Sequence, residues 1–186
     1  VAVADYILGI QPGPAVSNLS SSRALRDICQ RHGQEYYASA VGEVNVVRTM
    51  RQVKAVIGGE GNGGVIVPDL HYGRDALVGI ALFLSHLALR GCSAKSLRDT
   101  YPTYEMAKEK VSFDPNQRPE ALLQRLSDAF ADAQQNWEDG LKIDLENAWL
   151  HVRKSNTEPI LRIYTEATSL KEAQALAEKA RQILLL

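Results

Sequence analysis

The stretch Lys54-Ala-Val-Ile-Gly-Gly-Glu-Gly-Asn-Gly-Gly-Val-Ile-Val-Pro68 decides the fold, because two readings of it lead to different domains. Its segment from Gly59 to Gly64 satisfies G-x-G-x-x-G, the dinucleotide fingerprint. That fingerprint requires a helix to open at the loop, so that its N-terminal amides face a pyrophosphate. Here Val65-Ile-Val67 follows, β-branched throughout and closed by Pro68. Lys54–Gly58 is equally short, apolar and β-branched, as suits a buried strand. The stretch therefore reads as strand–loop–strand, and a nucleotide-binding oxidoreductase domain is revived only by a helix directly after Gly64.

Outward from this loop, strands and helices alternate. Val1–Leu8 reads as a helix, Ala15–Leu19 as a strand, and Ser20–Ser22 as the cap of a helix from Arg23 to Arg31, stopped at His32-Gly33. Glu35–Ser39 is a second strand and Val44–Val53 a second intervening helix. Beyond Pro68, Asp75 caps a long apolar helix over Ala76–Leu89, ended by Gly91. This alternation implies a layered α/β domain with a mainly parallel mixed sheet.

The second half has a different rhythm. Tyr101–Val111 reads as a strand, Asp114–Pro119 as a turn region and Glu120–Trp137 as a helix. Gly140 then opens a meander of Leu141–Leu145, Asn147–Val152 and Pro159–Glu166, before a closing amphipathic helix over Leu170–Leu185. That pattern is a small α+β domain, and the boundary is set at 95/96: residues 1–95 form the α/β domain and residues 96–186 the α+β domain.

Composition excludes several function classes. Hydrophobic residues are 45% and charged residues 23% of the 186, ordinary for a globular chain. A net charge of −1 provides no global field to draw nucleic acid or an anionic membrane, and no apolar run is long enough to span a bilayer. Cys29 and Cys92 match no metal or redox spacing, and buried thiols in apolar helical segments suit a reducing cytoplasm. Val1–Leu8 begins without an initiator Met or a cap, so the chain is expected to be cut from something longer.

Four segments carry candidate chemistry. In the glycine loop, Glu60 and Asn62 sit where glycines let backbone approach a ligand. A carboxylate accepts from adjacent hydroxyls and an amide both donates and accepts, a pair that suits a sugar, against the alternative of a ligand-free hairpin. Val41-Gly-Glu-Val-Asn45 puts Glu43 at a strand-to-helix junction, as a helix cap or as a ligand. His71-Tyr-Gly-Arg-Asp75 leads into the long helix, with Asp75 as its N-cap and Arg74 able to reach a ligand there or to remain solvated. Finally, His151-Val-Arg-Lys-Ser-Asn-Thr-Glu-Pro159 joins two β segments. Arg153 offers a planar fork, Ser155 and Thr157 hydroxyls, Asn156 an amide, and Arg162 a further charge on the outgoing strand: an anion-binding turn, or a polar hairpin turn.

These loops, in this order, resemble the α-D-phosphohexomutase family of phosphoglucomutases, phosphomannomutases and phosphoglucosamine mutases. Arg153-x-Ser-Asn-Thr-x-Pro159 is similar to the family's phosphate-binding loop, Gly59-Glu-x-Asn-Gly-Gly64 to its sugar-recognition loop, and Val41–Asn45 to a segment beside the sugar. Residues 1–95 look like the family's third domain and 96–186 like its fourth. The resemblance implies a hexose phosphate substrate, with Glu60, Asn62, Glu43 and Arg74 toward the sugar and Arg153, Ser155, Asn156, Thr157 and Arg162 toward phosphate.

Departures and absences refine that expectation. Gly64, Glu43 and Ser20 stand where many or several relatives carry His, His and Lys, a pattern closest to a phosphoglucosamine mutase or dual-specificity branch. No Asp-x-Asp-x-Asp-Arg run and no serine in a nucleophile motif occur. The resemblance thus implies that the phosphoserine and the Mg²⁺ ligands belong to the N-terminal domains of a parent chain. There, phosphoserine donates to a sugar monophosphate, the bisphosphate turns over, and the other phosphate returns to the enzyme. This segment would bind and orient without turning over substrate alone. A stand-alone phosphosugar-binding module is the competing expectation.

Overall fold

The computed structural model describes residues 1–113, 118–155 and 158–185. The chain forms two compact units, Val1–Thr103 and Tyr104–Leu186. The division falls later than the boundary expected at 95/96, because a short helix at Ala94–Arg98 and the residues after it deliver Leu97 and Tyr101 to the first unit's core.

In the first unit, α1 (Ala2–Ile10) leads to β1 (Ala15–Asn18), α2 (Ala24–Arg31), β2 (Tyr36–Ser39), α3 (Glu43–Val53), β3 (Ile57–Gly59), β4 (Val65–Ile66), α4 (Ala76–Arg90) and α5 (Ala94–Arg98). The sheet order is β2-β1-β3-β4, parallel except for the β3/β4 hairpin. Alternation along β1 sends successive side chains to opposite faces. Ala15 joins Leu8, Ile28 and Ile57 in one core, while Val16 joins Val46, Met50 and Ile66 in the other. Helices thus cover both faces, the arrangement expected of buried parallel strands. β4 directly after Gly64 removes the nucleotide-fingerprint reading, which needed a helix there.

Two local expectations change. Ser20–Ser22 do not supply the N-cap side chain of α2; Arg23 occupies that position, and Ser22 Oγ accepts instead from the Ala24 N–H at 3.2 Å. Lys54, at φ +53°, belongs to the end of α3 rather than to β3.

In the second unit, β5 (Glu105–Ser112), α6 (Pro119–Ala129), β6 (Gln134–Asn136), β7 (Leu141–Asp144), β8 (Trp149–Lys154), β9 (Ile160–Ala167) and α7 (Leu170–Leu185) build a five-stranded antiparallel sheet of order β5-β9-β8-β7-β6. Leu141, Ile143, Leu150, Val152, Leu161 and Ile163 from the sheet pack with Leu122 and Leu126 of α6 and Ala173, Ala177 and Ala180 of α7. The helix expected over Glu120–Trp137 stops at Ala129. Gln135 Nε2 donates to the Ser127 and Phe130 carbonyls at 3.0 and 3.1 Å, closing the helix end from the edge strand that follows. Tyr101, expected in a strand, lies before β5, which begins at Glu105.

Candidate functional site

In the first unit the candidate residues converge on Arg74, just before α4. Asp75 caps that helix by accepting from the Val78 N–H at 3.0 Å, and the backbone bond to Val78 holds its carboxyl below the ordinary range. The Asp75 N–H in turn donates to the Val65 carbonyl, which ties the helix start to β4. Arg74 is thereby placed over the hairpin loop. Its Nε donates to Glu43 Oε2 at 2.8 Å, its backbone N–H donates to Glu43 Oε1 at 3.1 Å, and its guanidinium lies 3.4 Å from Glu60 Oε2. A methyl group at Gly64 would collide with the Arg74 side chain, so glycine there is what lets the arginine lie across the loop.

Glu43 therefore does not cap α3, whose N-cap is Gly42. The backbone and side-chain bonds from Arg74 hold the Glu43 carboxyl below its usual range, so it stays ionised at neutral pH. Asn62 Oδ1 accepts from the Gly64 N–H at 3.1 Å, which closes the loop as an Asx turn and uses only the oxygen end of the amide. Asn62, Gly64, Val65, Arg74 and Asp75 line an open cleft of ≈ 490 Å³. Arg74 and Asn62 line that cleft, and Arg74 holds the two carboxylates behind it, a set of groups able to accept from vicinal hydroxyls and donate to an anionic oxygen.

In the second unit, Arg153 sits near the end of β8 with its Nε 3.0 Å from Asp139 Oδ2. The contact is an ion pair off the N–H direction rather than a linear hydrogen bond. The Asp139 carbonyl also engages His151 Nε2 at 2.6 Å. Gly140, at φ +75°, makes this close approach possible, because a side chain there would meet the Val152 carbonyl and Arg153. Register places Arg162 of β9 directly opposite Arg153, and Lys110 of β5 directly opposite Arg162. Adjacent like charges across strands are unfavourable unless an anion offsets them. Ser155 is buried and its N–H donates to the Ile160 carbonyl at 2.9 Å. Asn156 and Thr157 lie outside the described residues.

Sequence reasoning missed Asn18, Asp139 and Lys110. Asn18 ends the apolar start of β1, at the carboxyl edge of a parallel sheet, and that position was a usable signal. Asp139 and Lys110 become visible only through strand pairing.

Comparison with known proteins agrees with this architecture. Residues 1–104 match the family described as phosphoglucomutase/phosphomannomutase, alpha/beta/alpha domain III, and residues 116–183 match its C-terminal domain. A phosphoglucomutase/phosphomannomutase of Thermococcus kodakarensis is 32% identical over 98% of this chain and 40% of its own length. A phosphoglucosamine/phosphogalactosamine mutase of Sulfurisphaera tokodaii is 30% identical over 91% of this chain and 38% of its own. The crystal structure of a phosphoglucomutase/phosphomannomutase family protein from Burkholderia thailandensis superposes with a TM-score of 0.77 at 23% identity, over 97% of this chain and 39% of that one. The chain spans about 40% of the length of the curated relatives it matches. The loops, the two folds and both domain matches coincide, and the chain belongs to the phosphoglucomutase/phosphomannomutase family as its domain III and C-terminal domain.

Proposed function

We propose that this chain binds and orients a hexose phosphate within an enzyme that interconverts hexose 1-phosphates and 6-phosphates. The first unit reads hydroxyls through Glu60, Glu43, Asn62 and Arg74, and the second takes phosphate through Arg153, Arg162, Ser155, Asn156 and Thr157. The observation that carries this reading is the Arg74 bridge, which gathers both candidate carboxylates around an arginine that lines the cleft. Nucleophile and Mg²⁺ ligands are assigned to the part of the relatives that this chain does not span. Among the described residues no group of three or more His, Cys, Asp or Glu side chains is arranged to hold a metal ion. The chain's own contribution is positioning and charge complementarity. Among the described residues no helix is long and apolar enough to cross a membrane. The free cysteines Cys29 and Cys92 support a reducing, cytoplasmic setting.

Calorimetric titration of the chain with glucose, mannose and glucosamine phosphates tests the reading. Arg153→Ala should weaken binding of all of them by about tenfold or more, the loss expected for charge-assisted bonds. Glu60→Ala should chiefly change the ranking of the sugars. Indifference of every phosphosugar to both substitutions would defeat it. A preference for amino sugars is a second reading, supported by the likeness to the phosphoglucosamine/phosphogalactosamine mutase of Sulfurisphaera tokodaii.

A further inference from the structure

Glu60 is held from two sides. Its side chain is only 7% exposed, and Arg74 approaches one carboxylate oxygen. The other oxygen, Oε1, accepts from Asn18 Nδ2 at 3.2 Å. Asn18 is itself buried, at 4% exposure, on the central strand β1. Its amide is used at both ends: Oδ1 accepts from the Ser20 N–H at 3.1 Å and from Ser21 Oγ at 3.0 Å. These bonds fix which way the amide faces, because only the nitrogen end can donate to a carboxylate. The turn they form also supports the loop, since a Cβ at Gly61 would lie 3.3 Å from the Ser21 Cα.

We infer that Asn18 is a positioning residue, which aims the Glu60 carboxylate at the ligand and makes the loop selective among sugar hydroxyls. The inference rests on Glu60 reading the sugar and adds a residue that its motif does not contain. The physical basis is pre-organisation. A carboxylate on a glycine-rich loop has many orientations, and each one lost before binding is one the ligand need not restrict. A rigid strand is the better anchor for this than the loop itself. An asparagine also holds Glu60 without placing a second charge beside it.

Asn18→Asp isolates the contact. Aspartate keeps the oxygen that accepts from Ser20 and Ser21 and replaces only the group facing Glu60. A second carboxylate then opposes the first, so affinity should fall about tenfold at pH 7.5. Asn18→Ala serves in a double-mutant cycle with Glu60→Ala, scored as affinity for glucose 6-phosphate and glucosamine 6-phosphate, with folding followed by thermal melting. If Asn18 acts through Glu60, the double variant binds no more weakly than Glu60→Ala alone and shows the same flattened sugar preference. Losses that multiply, or an Asn18→Asp variant with wild-type affinity and ranking, overturn the assignment while leaving Glu60 as the reader. Binding that is untouched by Glu60→Ala defeats the sugar-reading proposal itself, and with it this one.

Discussion

His151 shows how a single buried side chain ties the stability of the second unit to pH. It is fully buried on β8, and burial pushes its imidazole down to about 4, with the Asp139 carbonyl as its polar partner. A histidine whose folded value lies below its unfolded one destabilises the fold as it gains a proton. Its contribution is therefore complete above pH 6.5 and is lost as the pH falls from 6.5 toward 4. A shift of this size corresponds to about 3 kcal/mol. Urea melts at pH 7 and pH 4.5 should show the second unit losing stability over that window, and His151→Asn should flatten the slope. Nothing in the sequence around His151 marks it as buried; its neighbours in Val-Arg-Lys suggest a polar hairpin. The Asp139 turn supplies the reason, and that turn meets β8 only through the register of β7.

Between elements, the first unit is tied at Asp5 of α1. Its carboxylate pairs with His32 Nε2 at 2.7 Å and accepts from the Tyr101 hydroxyl at 2.9 Å, with His86 and Arg90 of α4 at 3.7 and 3.6 Å. Burial alone would raise the Asp5 carboxyl, but the bonds from His32 and Tyr101 outweigh it and hold the group below 3.8. A depressed carboxyl stabilises the fold above its unfolded value and loses that contribution as pH falls through the folded one. Asp5→Asn should accordingly cost about 1.5–3 kcal/mol at pH 7, a penalty that shrinks below pH ~4 and is measurable by denaturant melts at the two pH values. This cluster explains why Tyr101 left the strand that its sequence suggested: its ring and hydroxyl have partners in the first unit's core. Elements defined by local punctuation, such as the Asp75 cap and the β3–β4 hairpin, were legible from sequence. The end of α6 was not, because Phe130–Trp137 has helical composition and turns into an edge strand only by pairing with β7. α4 adds a related case. Its apolar sequence reads as a buried helix, yet Leu77, Ile80, Leu84 and Leu89 are each more than half exposed. Hydrophobicity all round a helix does not say which faces a given chain covers.

At the scale of the molecule, fold class followed from alternation in the first half and from the meander in the second, because each unit closes its own core. The candidate site was half legible: Glu60, Asn62, Glu43, Arg74 and Arg153 stand in recognisable sequence motifs, whereas Asn18 of β1, Asp139 of the turn before β7 and Lys110 of β5 come near them only through the fold. The whole chain is nearly neutral, at −1. The row of Lys110, Arg162 and Arg153 across β5, β9 and β8 is locally cationic all the same, with Asp139 at 3.0 Å and Glu158 at 3.8 Å as its recorded counter-charges. Such a row, if it takes phosphate as proposed, should bind polyvalent anions in general, whatever their biological identity. In a melting assay at fixed ionic strength, sulfate or phosphate should therefore raise the transition of the second unit by several degrees over chloride, and Arg162→Ala should reduce the difference. Equal midpoints in the three salts would mean that the row is already neutralised from within. The same selectivity foretells a practical trait: despite its acidic formal charge, the chain should be retained on phosphocellulose and released by phosphate more readily than by sodium chloride.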